Sequence, residues 1–244
     1  MVTFLTSSPT KELNRENPYP ALYACNGFIR RLKEEWQGEG RCIMIAAFPG
    51  DHPRNDEMTA YYREAVERSG LAVACFDLWD DRIPPLTREQ LQSYDAIFLA
   101  GGHVPTERRW FESISLREKL EGYGGLLIGT SAGSMNAAEV VYAWPEEPGE
   151  SVDPNHQLFF PGLGGARTMV LPHYQKMKDN WLDGRRLMED ITCSHSYGRR
   201  FLAIPDGSYV LAKDGLETVY GEAWLVAEGQ ITLFCRQEET RIIE

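Results

Sequence analysis

The stretch GLLIGTSAGSMNAA, from Gly125 to Ala138, organises this sequence. It joins an apolar run to a Gly-x-Ser-x-Gly turn and then to small, helix-favouring residues, which predicts a buried strand turning sharply into a helix. The turn would lift the Ser131 hydroxyl clear of the sheet, and Gly129 and Gly133 would let the strand and helix approach closely. The free N–H of Ala132 would then face an oxygen that the serine attacks. The pattern predicts a nucleophile elbow, although glycine and serine also suit a strand–turn–helix junction without catalysis.

The composition of the 244-residue chain is that of an ordinary globular protein, and we expect one domain over 1–244. The formal net charge is −11, and no basic block offsets it. This balance argues against a nucleic-acid partner or an anionic membrane surface. No apolar run reaches the ~18 residues of a membrane span and no signal-peptide pattern opens the chain, so we expect a cytoplasmic location.

The cysteines and histidines form no ligand or redox motif. The five cysteines, at positions 25, 42, 75, 193 and 235, are scattered without Cys-x-x-Cys spacing, which indicates buried, reduced thiols. The five histidines form no His-x-x-x-His pair. Neither a metal nor another cofactor is therefore predicted.

Apolar runs alternate with helical patterns along the first half of the chain. Strands are predicted at 2–5, 41–48, 71–79, 95–100 and in the run before the elbow, and helices at 21–36, 55–69, 87–93 and 106–123. This alternation requires right-handed crossovers and a parallel sheet. Beyond the elbow we predict a long loop at 144–160, strands at 167–171 and 201–204, a helix at 176–191, and a C-terminal β-meander at 209–234.

A serine hydroxyl needs a base and an orienting acid to act as a nucleophile. Side chains at the carboxyl ends of parallel strands are the natural candidates. His173 follows an apolar strand directly, through Pro172, which restricts the backbone. Asp206 follows the next apolar strand, although Asp-Gly also suits a plain turn. The alternative acid, Asp153, comes too soon after the elbow helix to follow a strand, so the order Ser131, His173, Asp206 is favoured over that of an α/β-hydrolase.

A second glycine-rich strand end, Gly101-Gly102, follows the strand at 95–100. Such a pair suits a plain turn. Beside an elbow it can instead place the N–H of Gly102 near that of Ala132, because the missing side chains allow close approach to an oxyanion.

Five landmarks in one order resemble the peptidase S51 family, and within it the peptidase E type, an α-aspartyl dipeptidase. They are the strand and glycine run at 97–102, the elbow at 129–133, Val-Asp-Pro-Asn at 152–155, Pro-His-Tyr at 172–174 and Pro-Asp-Gly at 205–207. The related cyanophycinases share the Gly-Thr-Ser-Ala-Gly form of the elbow. The resemblance implies a three-layer α/β/α sandwich with a mainly parallel sheet, similar to class I glutamine amidotransferases and flavodoxin-like in type.

The resemblance also implies an activity: a serine peptidase hydrolysing short peptides, with a preference for an N-terminal aspartate. Ser131 would be the nucleophile, His173 the base and Asp206 the acid that orients it. The N–H groups of Gly102 and Ala132 would form the oxyanion hole. A short peptide is the expected partner, and the protein would be a monomer or a homodimer.

The sequence departs from the family pattern at two positions. His103 follows Gly102 where the family has asparagine, and Asp206 stands where many relatives carry glutamate. Charged ends of a short substrate need counter-charges, and we expect His103 and Arg167 to supply them, although a turn residue and a surface cation are equally ordinary roles.

Two other functions stay open at this point. A cyanophycinase-like enzyme would cleave β-aspartyl-arginine units and need an acidic cleft, for which the loop offers Glu146, Glu147, Glu150 and Asp153. A non-catalytic, amidotransferase-like binding or sensor module would keep the elbow as a feature of the fold alone.

Overall fold

Strands and helices alternate over the first half of the computed structural model, which describes residues 1–16 and 18–244. The strands of this half are β1 (Val2–Thr6), β2 (Arg41–Ile45), β3 (Cys75–Trp79), β4 (Ala96–Leu99) and β5 (Leu126–Thr130). The helices are α1 (Phe28–Glu35), α2 (His52–Arg68), α3 (Arg88–Gln92), α4 (Val104–Ser113), α5 (Leu116–Leu120) and α6 (Ala132–Ala137).

The second half is mostly strands. They are β6 (Val140–Tyr142), β7 (Phe159–Pro161), β8 (Met169–Leu171), β9 (Trp181–Leu182), β10 (Arg185–Arg186), β11 (Arg200–Ala203), β12 (Tyr209–Lys213), β13 (Leu216–Tyr220), β14 (Ala223–Ala227), β15 (Gln230–Cys235) and β16 (Thr240–Ile242). A short helix, α7 (Tyr174–Met177), follows β8, and a π-helical turn covers Leu187–Thr192.

A large central sheet organises the described residues. Its eight strands run in the order β16-β13-β12-β1-β5-β4-β2-β3. The neighbouring pairs β1-β5, β5-β4, β4-β2 and β2-β3 are parallel. On the other side of β1, the strands β12, β13 and β16 extend the sheet through antiparallel pairs. The predicted mixed α/β fold with a large, mainly parallel sheet is confirmed.

Helices cover both faces of this sheet because successive side chains of a strand point to opposite sides. On β5, Leu126 and Ile128 belong to a core that includes Tyr62 of α2. Leu127 points the other way, into a core with Phe111 of α4 and Met135 of α6. Burial of each such side chain contributes about 1.5–3 kcal/mol, so the continuous apolar run of β5 is explained by its two buried faces.

The five cysteines form no disulfide. Three of them are buried and two are half-buried. No helix among residues 1–16 and 18–244 is long and apolar enough to span a bilayer.

Two predicted helices are wrong as continuous elements. The one at 106–123 is broken at Ser115, whose φ of 51° is left-handed, so that α4 and α5 form instead. The one at 176–191 contains the hairpin of β9 and β10, which turns at Asp183-Gly184, where both residues have positive φ. An Asp-Gly pair is a strong hairpin signal, and here it outweighs the helical spacing of the apolar residues.

The predicted C-terminal meander is also wrong, because its strands divide between two sheets. β12 and β13 join the central sheet, whereas β14 and β15 join β11 and β8 in a four-stranded sheet of order β15-β14-β11-β8. The chain changes sheet at Gly221, whose φ is 93°. β14 pairs with β11 rather than with β13, its neighbour in sequence. In this second sheet β8 and β11 are parallel, so their carboxyl ends lie side by side.

Candidate active site

Ser131 occupies a strained turn between β5 and α6. Its φ of 51° and ψ of −116° are rare for a residue with a side chain, and such a conformation costs about 1–3 kcal/mol. A Cβ on Gly129 would lie 2.6 Å from the Cα of Ser134, and one on Gly133 would lie 2.5 Å from the carbonyl oxygen of Leu99. Both clashes are with backbone, so both glycines are needed for this turn.

Strand β1 holds the strained serine in place. The Ser131 N–H faces the carbonyl oxygens of Thr6 and Ser7, at 3.1 and 3.0 Å. The Ser134 hydroxyl accepts from the Thr6 N–H at 2.8 Å and donates to the Thr6 carbonyl at 2.7 Å. The Thr6 hydroxyl donates to the carbonyl of Gly129 at 2.6 Å. These bonds fix both sides of the turn and explain how the strain is sustained.

His173 and Asp206 complete a hydrogen-bonded chain with the serine. His173 Nε2 lies 2.9 Å from Ser131 Oγ, and His173 Nδ1 lies 2.7 Å from Asp206 Oδ1. A carboxylate only accepts, so Nδ1 carries the hydrogen and Nε2 is free to take a proton from the serine. The two residues meet because they follow the paired ends of β8 and β11. The structure thus brings together the three residues that the sequence singled out.

Two further residues hold the hydrogen-bonded triad in place, and neither was predicted from the sequence. The Ser7 hydroxyl donates to Asp206 Oδ1 at 2.6 Å and accepts from the His173 backbone N–H at 2.7 Å. The Gln175 side chain donates to Asp206 Oδ2 at 2.6 Å. A usable signal existed for Ser7, which follows the apolar run of β1 as His173 follows that of β8.

The carboxyl group of Asp206 is held in its charged form. Burial alone would raise its pKa, but hydrogen bonds from His173, Ser7 and Gln175 keep the pKa below its ordinary value. An ionised Asp206 stabilises a protonated His173 and fixes the direction of the ring.

A cleft of about 560 Å³ opens above Ser131 and His173. Gly102 also lines it, packed so tightly that a Cβ would lie 2.7 Å from the ring of Phe48. Ala132 is the first residue of α6, where backbone N–H groups have no partner within the helix. Gly102 thus shares the cleft with Ser131, and Ala132 begins the helix that follows the serine.

His103 lines the cleft but is engaged by its neighbours. Its Nε2 lies 3.0 Å from Glu150 Oε1, and its Nδ1 lies 2.9 Å from the hydroxyl of Thr106. The other carboxylate oxygen of Glu150 accepts the backbone N–H groups of Glu146 and Glu147. His103 therefore fastens the loop at 143–158 to the first turn of α4.

Arg167 does not reach the cleft, which corrects its expected role in substrate binding. It precedes β8, at the strand end opposite to His173. Its guanidinium is 3.6 Å from the carboxylate of Glu217, and it lines other cavities. The residue lies near the histidine in sequence, but the strand between them separates the two.

Three side chains come close enough to share a metal ion, and two of them, His103 and Glu147, line the cleft. Ligand atoms of His103, Glu147 and Glu150 lie within 4.8 Å of one another. His103 and Glu150 bond each other, however, and Glu147 is exposed. Because exposed carboxylates often cluster without a metal, this group supports no assignment.

No protein-family model matches this chain, and neither does any curated protein. Two solved structures have a similar fold. A peptidase from an acI-B1 Actinobacterium is 18% identical with a TM-score of 0.60, and the match covers 99% of this chain and 96% of that one. A candidate peptidase E protein from Listeria monocytogenes EGD-e is 14% identical with a TM-score of 0.53, covering 100% and 98%. This chain therefore shares its fold, over nearly its full length, with those two proteins.

Proposed function

We propose that the protein is a serine peptidase of the S51 type, on a fold like that of class I glutamine amidotransferases, acting on short peptides. The observation that carries this proposal is the hydrogen-bonded chain from Ser131 Oγ through His173 to Asp206, with distances of 2.9 and 2.7 Å. It lies at the floor of an open cleft, beside a strained elbow that a mere turn would not need. The likeness in fold to two proteins described as peptidases is consistent with it.

In the proposed reaction Ser131 Oγ attacks the peptide carbonyl carbon while His173 Nε2 takes the hydroxyl proton. The carbonyl oxygen becomes an oxyanion that accepts from the N–H groups of Gly102 and Ala132. Loss of one such donor costs about 2.7–4 kcal/mol in related chemistry. His173 then protonates the leaving amine, the C–N bond breaks, and water hydrolyses the acyl-enzyme with the same base.

For the substrate we propose a dipeptide or another short peptide with an N-terminal acidic residue. Arg167 is outside the cleft, but Arg54 and Lys11 line it and offer cations for a carboxylate. The Arg54 guanidinium lies 4.7 Å from the centre of the Phe48 ring, which also lines the cleft. A carboxylate of a short substrate placed near this wall would meet positive charge next to Gly102.

A cyanophycinase-like specificity for β-aspartyl-arginine units is the second candidate, and one observation favours it. Glu146 and Glu147, on the loop at 143–158, line the same cleft and would attract the substrate's guanidinium. Burial raises the pKa of Glu146 above its ordinary value, although the hydrogen bond from Trp144 and the nearby His103 oppose this rise, so the exposed Glu147 is the better counter-charge. The other two acids predicted for this cleft, Glu150 and Asp153, line a neighbouring cavity instead. Initial rates with the two dipeptides distinguish these specificities: faster cleavage of Asp-Leu supports the first, and faster cleavage of β-Asp-Arg supports the second.

Labelling by a fluorophosphonate probe tests the chemistry independently of the substrate. We expect the wild type to be labelled, Ser131→Ala to be unlabelled, and His173→Ala to be labelled at least 100-fold more slowly. Ser8→Ala is the matched control, because Ser8 also lines the cleft but its hydroxyl donates to the Thr10 carbonyl. A wild-type protein that neither labels nor cleaves acidic-residue dipeptides would leave the non-catalytic module as the better reading.

A further inference from the structure

A fully buried carboxyl group lies on α4, outside the lining of the cleft, and the proposed mechanism does not use it. Glu107, on α4, has no solvent exposure. Its Oε2 accepts from the Asn136 side-chain amide at 2.8 Å. Its Oε1 has no hydrogen-bond partner among the described residues, and Glu107 forms no ion pair with any of residues 1–16 or 18–244.

Such surroundings do not support a charged carboxylate. One neutral amide donor does not compensate for removing a full charge from water. Burial accordingly raises the pKa of Glu107 well above its ordinary value. In the neutral form Oε1 carries the hydrogen, and Oε2 is the carbonyl oxygen that accepts from Asn136.

The Asn136 amide joins α6, which begins with Ala132, to α4, which begins two residues after Gly102. Its Nδ2 donates to Glu107 and also faces the carbonyl oxygen of Val104 at 3.2 Å. Val104 begins α4 two residues after Gly102, and Asn136 lies about one helical turn after Ala132. The buried pair therefore connects the first turn of α4 to the last residues of α6.

Apolar packing alone would not hold these helices in one register. Phe111 of α4 and Met135 of α6 belong to one apolar core. Such contacts are non-directional, so they oppose separation of the two helices more than they oppose sliding of one helix along the other. A hydrogen bond has a preferred length and direction, and here one amide nitrogen on α6 donates to two oxygen atoms on α4. The pair thus restricts movement of α4 along α6.

We propose that Glu107 and Asn136 are positioning residues that hold α4 against α6 so that the N–H groups of Gly102 and Ala132 point at one oxygen. This inference rests on the proposed peptidase function. A displacement of about 1 Å in such a site can cost about 100-fold in rate. Because neither residue lines the cleft, the loss would fall on kcat and leave KM nearly unchanged.

The experiment compares three variants by kcat, KM and thermal midpoint on the peptide that the wild type cleaves. Glu107→Gln keeps the neutral shape and the acceptor, so we expect kcat within 3-fold of the wild type. Glu107→Met and Asn136→Ala remove the bond, and we expect kcat to fall roughly 10- to 100-fold with KM within 3-fold. Glu112→Gln is the control on the same helix, because Glu112 is exposed and pairs with Arg108.

The outcomes separate this proposal from the proposed function. A folded Glu107→Met or Asn136→Ala variant with the kcat of the wild type would overturn it. If both fail to fold, Glu107→Gln decides, since a folded Glu107→Gln protein with kcat reduced more than 10-fold contradicts positioning by a neutral carboxyl. A wild type without peptidase activity or Ser131 labelling would instead refute the peptidase function itself.

Discussion

Replacing Ser7 by alanine tests how the His173–Asp206 pair is held. The substitution removes the hydroxyl that donates to Asp206 Oδ1 at 2.6 Å and accepts from the His173 N–H at 2.7 Å. A hydrogen bond to a charged group contributes about 1.5–3 kcal/mol. Most of this free energy should stabilise the transition state, in which His173 is protonated. Because roughly 1.4 kcal/mol corresponds to a tenfold change in rate, the labelling rate should fall about 10- to 100-fold.

The pseudo-first-order rate of fluorophosphonate labelling at Ser131 is the assay, because it requires no knowledge of the substrate. Ser7 is fully buried and lies under the triad, so the loss should appear in the rate of labelling and in kcat rather than in KM. Ser8→Ala, one residue away, removes a hydroxyl that donates to the Thr10 carbonyl rather than to the triad and should label at the wild-type rate.

The pH dependence gives a second readout. Without the Ser7 hydroxyl the pKa of Asp206 should rise toward its ordinary value, since one of the bonds that lowers it is lost. The labelling rate of Ser7→Ala should therefore begin to fall at a higher pH than that of the wild type as the solution is acidified. Equal labelling rates at neutral pH and an unchanged onset of this fall, with unchanged thermal midpoints, would refute the role given to Ser7.

Three further predictions concern the elbow, the charged residues and acid stability. Gly133→Ala should destabilise the fold by about 1–3 kcal/mol or more in urea unfolding, because its Cβ would meet the Leu99 carbonyl; a stable, active variant would contradict this. Arg167→Ala should leave kcat/KM unchanged and stability within about 0.5 kcal/mol, since the side chain is largely exposed and outside the cleft. Asp206 has a folded pKa below its unfolded value, so its contribution to stability is present above about pH 4 and is lost as pH falls through the folded pKa. The stability of Asp206→Asn should therefore fall less steeply below pH 4 than that of the wild type. An identical loss of stability in the two proteins would contradict an ionised Asp206 in the folded state.

The sequence predicted the triad positions because each residue carries a local signal. Each of the three follows a short apolar strand: His173 and Asp206 follow β8 and β11, whose parallel ends lie side by side in the second sheet, and Ser131 follows β5 of the central sheet. The structure brings these three side chains together. The same rule would have pointed to Ser7, but Thr6-Ser7-Ser8 also reads as an ordinary polar turn.

The incorrect predictions share a physical cause, because a local sequence pattern does not specify which distant residues a segment will contact. The position of Arg167 six residues before His173 predicts that it lies near the substrate, yet β8 places the two residues at opposite ends of the strand. The strands at 209–234 were expected to pair in sequence, whereas β14 pairs with β11. The helical spacing at 176–191 concealed an Asp183-Gly184 turn.

The central place of β1 has a consequence for the order in which the protein is assembled. β1 pairs with β5 on one side and with β12 on the other, so its ladders are completed only when distant parts of the chain are present. Ser7 meets Asp206 across 199 residues of sequence. Contacts between such distant residues form slowly, because closing long loops costs chain entropy before any contact is gained. Recovery of Ser131 reactivity after dilution from denaturant would therefore report the last steps of folding, well after the helices regain their circular dichroism.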